Sequence, residues 1–109
     1  TLPIIEDETS HIFHHYVLRT DKRDAFQAHL KENGIMTGIY YPVPLHLQPC
    51  FSYLGYGEGS FPRAEKAAKT SLAIPVFPEL KKSEKDYIIK VIRSFFESQV
   101  EEQPIKEEV

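Results

Sequence analysis

Apolar and polar positions along this chain predict three extended segments. The aromatic and β-branched run His11 to Leu18 predicts a strand covered on both faces, because neither alternate set is polar enough to face water. Ile35 to Tyr41 predicts a second strand that stops at Pro42, since proline lacks the N–H that a ladder requires. The apolar run Leu72 to Leu80 is interrupted by prolines, so it predicts an edge strand or an extended crossing segment.

A helix is predicted between the first two strands. Asp21 is a candidate N-cap, and the helical stripe that follows it ends at Gly34. With Gly34 in the left-handed conformation, Ile35 would lie over Leu30, which is the apolar contact of a Schellman ending. The pattern therefore predicts both where this helix ends and how.

Two more helices are predicted in the second half of the chain. A short helix or turn is expected over Leu45 to Leu54, and Ser60 is a candidate cap for a helix with Pro62 in its first turn. Ser83 is a candidate cap for the last helix, whose apolar period is the most regular. Its apolar positions are Ile88, Val91, Ile92, Phe95 and Phe96. This order of elements predicts a small α+β domain, a short sheet with helices packed on one face.

Charge and composition narrow the classes of partner. The 109 residues include 13 Lys and Arg against 16 Asp and Glu, and no basic stripe is interleaved with aromatic residues, so we expect no nucleic-acid partner. No apolar run approaches the ~20 residues that span a bilayer, so we expect no membrane partner. The single cysteine, Cys50, can form no internal disulfide, which predicts a reducing compartment, most simply the cytoplasm.

The histidines and the cysteine do not predict a catalytic or metal site. In a strand, His11 and His15 point one way and His14 the other, and no cysteine or acidic residue is spaced to complete a tetrahedral site. Cys50 has no identifiable base and no electropositive setting. We therefore assign no catalytic residue and no metal ligand.

The segment Gly38 to His46, GIYYPVPLH, is the candidate binding site. Its two prolines stiffen the backbone. Tyr40, Tyr41 and His46 add flat aromatic surface and hydrogen-bonding tips, which a ligand-lining segment requires. A structural interpretation stays open at this point, in which Tyr41 only closes the core.

Longer motifs around this segment resemble a known family. Thr37 to Leu80 is similar to the C-terminal region of the DegT/DnrJ/EryC1/StrS family of pyridoxal-phosphate (PLP) dependent sugar aminotransferases. Family members have TGIHYPxPLHLQPxY, then LGY, then FPxAExxxxxxLSLPxxPxL. His14 to Arg19 resembles the family's H-x-Y-V-I-R strand, and Arg23 to Gly34 resembles its R-D-x-L helix. The motifs follow in order over residues 11–96.

The resemblance implies the small C-terminal domain of a fold type I aminotransferase. It implies a linker from a large domain over residues 1–10, the small domain over 11–97 and an acidic, disordered tail over 98–109. The large domain would carry PLP and the lysine that bonds it, so we expect this chain alone to bind no PLP and to be inactive. Its partners would be that large domain and a second copy in a homodimer. The start at Thr1 rather than methionine suggests a piece of a longer protein.

The same resemblance implies an activity. The intact enzyme would transfer an amino group from a glutamate-like donor to a nucleotide-linked keto-sugar, in polysaccharide or secondary-metabolite biosynthesis. Tyr40 and Tyr41 stand where the family commonly has His-Tyr beside the substrate, and His46 would hydrogen-bond it. Tyr40 replaces an imidazole with a phenol, which does not titrate near neutral pH. The alternative is a freestanding α+β ligand-binding or regulatory module without catalysis.

Overall fold

Two strands and three helices form the domain. The structure, a computed structural model, describes residues 1–101, with side chains through residue 100. The elements are β1 (Tyr16–Arg19), α1 (Arg23–Glu32), α2 (Pro62–Thr70), β2 (Ser71–Ile74) and α3 (Lys82–Glu101). Two 3₁₀ helices, Leu45–Leu47 and Pro49–Leu54, precede α2 where a short helix or turn was predicted. The architecture confirms the small α+β domain.

The sheet is antiparallel and centred on β2. Tyr16 lies opposite Ile74 and Arg19 opposite Ser71. On its other side β2 pairs only with Gly38, which exchanges two backbone hydrogen bonds with Ala73 at N···O distances of 2.7 and 3.0 Å. The third predicted segment is therefore one strand of a two-stranded sheet with a single bridge on its other side. It ends at Ile74, before Pro75.

The core lies between one face of the sheet and the helices α1 and α3. Leu18 and Leu72 are cross-strand partners on that face. The buried apolar residues that pack together are Leu18, Phe26, Leu30, Ile35, Leu72, Ile88, Val91 and Phe95. The predicted stripe of α3 supplies Ile88, Val91 and Phe95, whereas Phe96 stays partly exposed and packs its ring 5.1 Å from that of Phe26.

The Schellman ending of α1 is confirmed. Gly34 has φ +75°. The N–H of Ile35 donates to the carbonyl of Leu30 at 2.9 Å, and the N–H of Gly34 donates to that of Lys31 at 3.0 Å. This is the 6→1 and 5→2 pair that defines the motif. At the other end of α1 the cap prediction was wrong, because Lys22 rather than Asp21 is the N-cap residue.

Two predicted strands are shorter than their sequence pattern suggested. The strand predicted over His11 to Leu18 begins only at Tyr16, because Phe13 turns the chain with φ +47° and donates its N–H to Nδ1 of His11 at 2.8 Å. The strand predicted over Ile35 to Tyr41 is reduced to the pairing at Gly38.

The predicted cap of α2 is also corrected. The N-cap residue is Phe61 rather than Ser60. The Ser60 hydroxyl instead accepts the N–H of Gly57 at 3.0 Å and stabilises the preceding loop.

The two ends of the chain bear on the predicted domain bounds. Residues 1–10 contain no helix or strand, but Thr1 and Arg19 exchange hydrogen bonds of 2.8 and 3.0 Å beside β1. Helix α3 extends past the predicted boundary at residue 97 to Glu101, and the rest of the predicted tail, residues 102–109, lies outside the described residues. The domain bounds stay predictions. None of the described helices is long and apolar enough to cross a membrane.

Candidate functional site

Tyr40 and Tyr41, which we call the tyrosine pair, lie together on the surface just after the pairing at Gly38. Their rings meet edge to face with centroids 6.0 Å apart, and the peptide bond between them is cis. Tyr40 is 47% exposed and Tyr41 is 73% exposed. Within residues 1–100 neither hydroxyl has a hydrogen-bond partner. The pair therefore offers ring surface and two free hydroxyls to a ligand.

His15 supports the pair from a distant point in the chain. Its imidazole stacks on Tyr40 with centroids 4.2 Å apart and planes 17° from parallel, and the ring of His14 packs against His15 at 4.1 Å with a tilt of 33°. The sequence pattern does not predict this contact, because it places the histidines in a strand. The turn at Phe13 separates them from the sheet's alternation and brings them beside Tyr40.

His46 lies behind the surface and does not join the tyrosine pair. Its side chain is 6% exposed, and Nε2 lies 3.5 Å from Oε2 of Glu65. The ring also meets the edge of Phe61 at 4.9 Å. His46 thus connects the first 3₁₀ helix to α2 in this structure. Its predicted contact with a nucleotide-sugar stays a prediction.

Glu65 ties the glycine-rich loop to the start of α2. One carboxylate oxygen accepts the N–H of Gly59 at 2.7 Å, and the other accepts that of Phe61 at 3.1 Å. The bond from Gly59 is the main cause that lowers the pKa of Glu65 below its ordinary value. Burial opposes it, and Phe61 and His46 lower the pKa further. A glutamate in the first turns of a predicted helix is the signal that would have found this contact.

Arg23 fixes the junction between α2 and β2. Its side chain is nearly buried, and Nη1 donates to the carbonyls of Ala68 at 2.8 Å and Ser71 at 3.1 Å. Ala68 is in the last turn of α2, where carbonyls lack helical partners and a cation is favourable. This contact holds β2, and with it the residue that pairs with Gly38.

Metal ligands and reactive side chains are the remaining groups with possible chemistry in the described residues. Within residues 1–100 no group of three or more His, Cys, Asp or Glu is placed to hold a metal ion. Cys50 is exposed. The lysines of this range are all exposed, whereas a lysine that bonds a carbonyl cofactor is activated by desolvation or a neighbouring cation. They are Lys22, Lys31, Lys66, Lys69, Lys81, Lys82, Lys85 and Lys90.

Comparison with known proteins gives consistent matches. A model of the DegT/DnrJ/EryC1/StrS aminotransferase family matches residues 1–93. The chain is 54% identical over 90 residues to a "Pleiotropic regulatory protein" of Geobacillus stearothermophilus, covering 83% of this chain and 24% of that protein. It is 36% identical over 96 residues to the dTDP-3-amino-3,4,6-trideoxy-alpha-D-glucose transaminase of Streptomyces venezuelae, covering 88% of this chain and 25% of that protein.

A solved structure agrees with these matches. DesV of S. venezuelae, crystallised in complex with a ketimine intermediate, superposes with a TM-score of 0.82 at 36% identity. The match covers 86% of this chain and 25% of that one. The chain therefore spans about a quarter of the length of the relatives it matches.

Proposed function

Because the chain belongs to the DegT/DnrJ/EryC1/StrS aminotransferase family, we propose that it is the C-terminal lobe of a PLP-dependent nucleotide-sugar aminotransferase. The whole protein transfers an amino group from a glutamate-like donor to a nucleotide-linked keto-sugar. It acts as a cytoplasmic homodimer, and the lysine that bonds PLP lies in a large domain outside this chain. The transaminase name of the S. venezuelae relative supports this substrate class.

The exposed tyrosine pair is the observation that carries the proposal. Two aromatic rings with free hydroxyls on a proline-stiffened segment suit a sugar, whose hydroxyls need hydrogen-bond partners and whose C–H faces pack on rings. When bound, PLP supplies the electron sink for moving the amino group. This chain's tyrosines bind and orient the sugar and exclude water from one side of it.

Tyr41 is the main contact of the pair with the substrate. It is the more exposed of the two, and its hydroxyl has no partner within the part of the chain that the structure describes. The ring of Tyr40 is less accessible to a substrate, because His15 covers one of its faces. The hydroxyl of Tyr41 therefore forms a hydrogen bond with a hydroxyl of the sugar, as donor or as acceptor.

His46 and Glu65 form a contact in the stretch that follows the pair along the chain. Nε2 of His46 lies 3.5 Å from Oε2 of Glu65 and has no hydrogen-bond partner among the described residues, so the first 3₁₀ helix lies next to α2 here without a hydrogen bond between these side chains. A fixed segment loses little entropy on binding. A direct bond from His46 to the nucleotide-sugar belongs to the proposal and requires the imidazole to turn outward.

The proposal is tested with Tyr41→Phe in the full-length protein. This change removes one hydroxyl and keeps the ring. Loss of one hydrogen bond should raise KM for the nucleotide-sugar about 3- to 10-fold. The half-reaction with the amino donor and the retention of PLP should not change. Both half-reactions are followed by the absorbance of the cofactor.

Tyr53→Phe is the matched control, because Tyr53 is a more exposed phenol in the second 3₁₀ helix outside the tyrosine pair. It should leave both half-reactions at the wild-type values. If Tyr41→Phe also leaves them unchanged, the assignment of the tyrosine pair is wrong. If the full-length protein with PLP accepts no amino donor, the proposed activity is wrong.

A second candidate is a regulatory role without catalysis, and the name of the G. stearothermophilus relative favours it. A regulatory protein on this scaffold would bind a ligand with the same tyrosine pair but would not transaminate. Full-length protein that binds a nucleotide-sugar in calorimetry and produces no amino-sugar would support it. Turnover of donor and sugar would exclude it.

A further inference from the structure

We infer that His15 is a positioning residue for Tyr40, and through Tyr40 for the sugar specificity of the site. This inference rests on the proposed function and adds a residue from before β1 to the tyrosine pair. His15 is exposed and contributes nothing to the core cluster. We therefore infer its role from the contacts of its ring.

The stack between His15 and Tyr40 is close and nearly parallel. A centroid distance of 4.2 Å and an interplanar angle of 17° place the imidazole over the phenol ring. Stacked pairs of this kind are worth about 0.5–1.5 kcal/mol beyond the area they bury. His14 packs against His15 at 4.1 Å with ring planes tilted by 33°. His15 therefore lies between the rings of His14 and Tyr40.

Gly38 limits the same ring at its hydroxyl end. A Cβ on Gly38 would lie 2.7 Å from both Cζ and the hydroxyl oxygen of Tyr40. Gly38 is itself fixed by its two hydrogen bonds to Ala73. Its φ is not in the left-handed region, so the glycine is required here for space and not for backbone conformation.

The phenol ring of Tyr40 has an alternative side-chain position available when the stack is lost. A surface cavity of about 290 Å³ is lined by both Tyr40 and His15, and on its far side by Met36, Ile74 and Phe77, so the phenol ring can turn into it. Because nearly half of Tyr40 is exposed, core packing does not hold it. The stack with His15 thus selects the side-chain position from which the Tyr40 hydroxyl meets the substrate.

The test compares His15→Leu, which removes the flat ring, with His15→Phe, which keeps it, in the full-length holoenzyme. His15→Leu should raise KM for the nucleotide-sugar about 3- to 10-fold, the effect of losing one stacked pair. The donor half-reaction should be unchanged. His15→Phe should restore KM to within about 2-fold of wild type, since stacking needs no imidazole proton. Tyr53→Leu is the control, because Tyr53 is an exposed ring in the second 3₁₀ helix outside the tyrosine pair.

Gly38→Ala tests the inference from the other side of the ring. The added methyl must displace the end of Tyr40, and it should raise KM for the sugar without changing the donor half-reaction. Wild-type KM in His15→Leu, or failure of His15→Phe to restore it, overturns the inference. If His15→Leu slows both half-reactions through damage to the fold, the position of Tyr40 in the crystal structures of the His15 variants decides.

A crystal structure of each variant separates this inference from the proposed function. Tyr40 should leave its position in His15→Leu and keep it in His15→Phe, whatever the protein catalyses. A protein that does not transaminate, yet shows this displacement, contradicts the proposed function and keeps the positioning role. An unmoved Tyr40 in His15→Leu overturns the positioning role even in an active enzyme.

Discussion

The core and the segment from Met36 to Phe61 use similar residue types in opposite ways. Phe26, Leu30 and Leu72 are completely buried. In the segment, most large apolar side chains are at least 39% exposed. These exposed residues are Met36, Tyr40, Tyr41, Val43, Leu45, Tyr53, Leu54, Tyr56 and Phe61. Hydrophobicity therefore does not distinguish the two regions. They differ in the contacts that hold them in place.

The core is stabilised by a large buried apolar surface, whereas the segment is held in place by a few specific contacts. Helices α1 and α3 bury the core side chains against the sheet. The segment relies on the Gly38 pairing, the His15 stack and the carboxylate of Glu65. A contiguous exposed apolar surface on a fixed backbone is typical of a site that meets a ligand or another protein surface. The contrast therefore separates residues that stabilise the fold by burial from exposed residues, among which the proposed site lies.

The same substitution in the two regions should have unequal effects on stability. Leu72→Ala opens a cavity in the core and should lower the free energy of unfolding by about 2–5 kcal/mol. Leu45→Ala removes a side chain that is 74% exposed and should change it by less than about 0.5 kcal/mol. Urea unfolding followed by circular dichroism measures both. Equal losses would contradict the distinction between the two regions.

Arg23 connects the two regions, because it holds the strand against which Gly38 pairs. Arg23→Gln leaves the carbonyls of Ala68 and Ser71 without their donor. The free energy of unfolding should fall by about 1–3 kcal/mol. Lys31→Gln, an exposed change on the same helix, should have almost no effect in the same urea titration. A loss no greater than that control would show that the buried guanidinium is not needed.

Gly34 tests the ending of α1 by backbone conformation alone. Gly34→Ala should cost about 1–2 kcal/mol, because its φ of +75° is unfavourable for a residue with a Cβ and no atom lies within 4 Å to clash. Gly57 is the matched control, since it has equal space and no positive φ. Gly57→Ala should be nearly neutral in the same unfolding experiment. A neutral Gly34→Ala would contradict the Schellman ending.

The sequence predicted best where one local rule determines the structure. The end of α1 follows from Gly34 and Ile35, and the buried face of α3 follows from a period that repeats over two turns. Both are confirmed because burial and local preference agree there. The resemblance also led to the correct family, since its motifs follow in order along the chain.

The sequence predicted least where a tertiary contact overrides the pattern. The run around His14 and His15 has strand composition, but the turn at Phe13 removes it from the sheet. The stack on Tyr40 joins residues 25 positions apart, which no periodicity encodes. The contact of His46 with Glu65 in a later helix is likewise a pairing that the sequence does not specify. The substrate contact that the family resemblance implies for His46 stays a prediction.

Glu65→Gln should have the smallest effect on the unfolding temperature at neutral pH, because glutamine keeps one oxygen that can accept an N–H. The substitution should instead change how the unfolding temperature depends on pH. The folded-state pKa of Glu65 is lowered below 4.5, so its contribution is fully present above that value and is lost as the pH falls through the folded pKa. Thermal unfolding of wild type and variant from neutral to acidic pH measures this.

The expected outcome is a difference in Tm that is constant near neutral pH and shrinks as the pH falls below 4.5. In acid the wild-type carboxyl is protonated and no longer differs in charge from the amide, so the two proteins converge. Glu32→Gln, at the exposed end of α1, should show no such convergence. A Tm difference that persists unchanged into acid would mean that the charge of Glu65 does not hold the glycine-rich loop to the start of α2. Glu65 would then no longer count among the few contacts that hold the segment, in contrast to the buried apolar surface that holds the core.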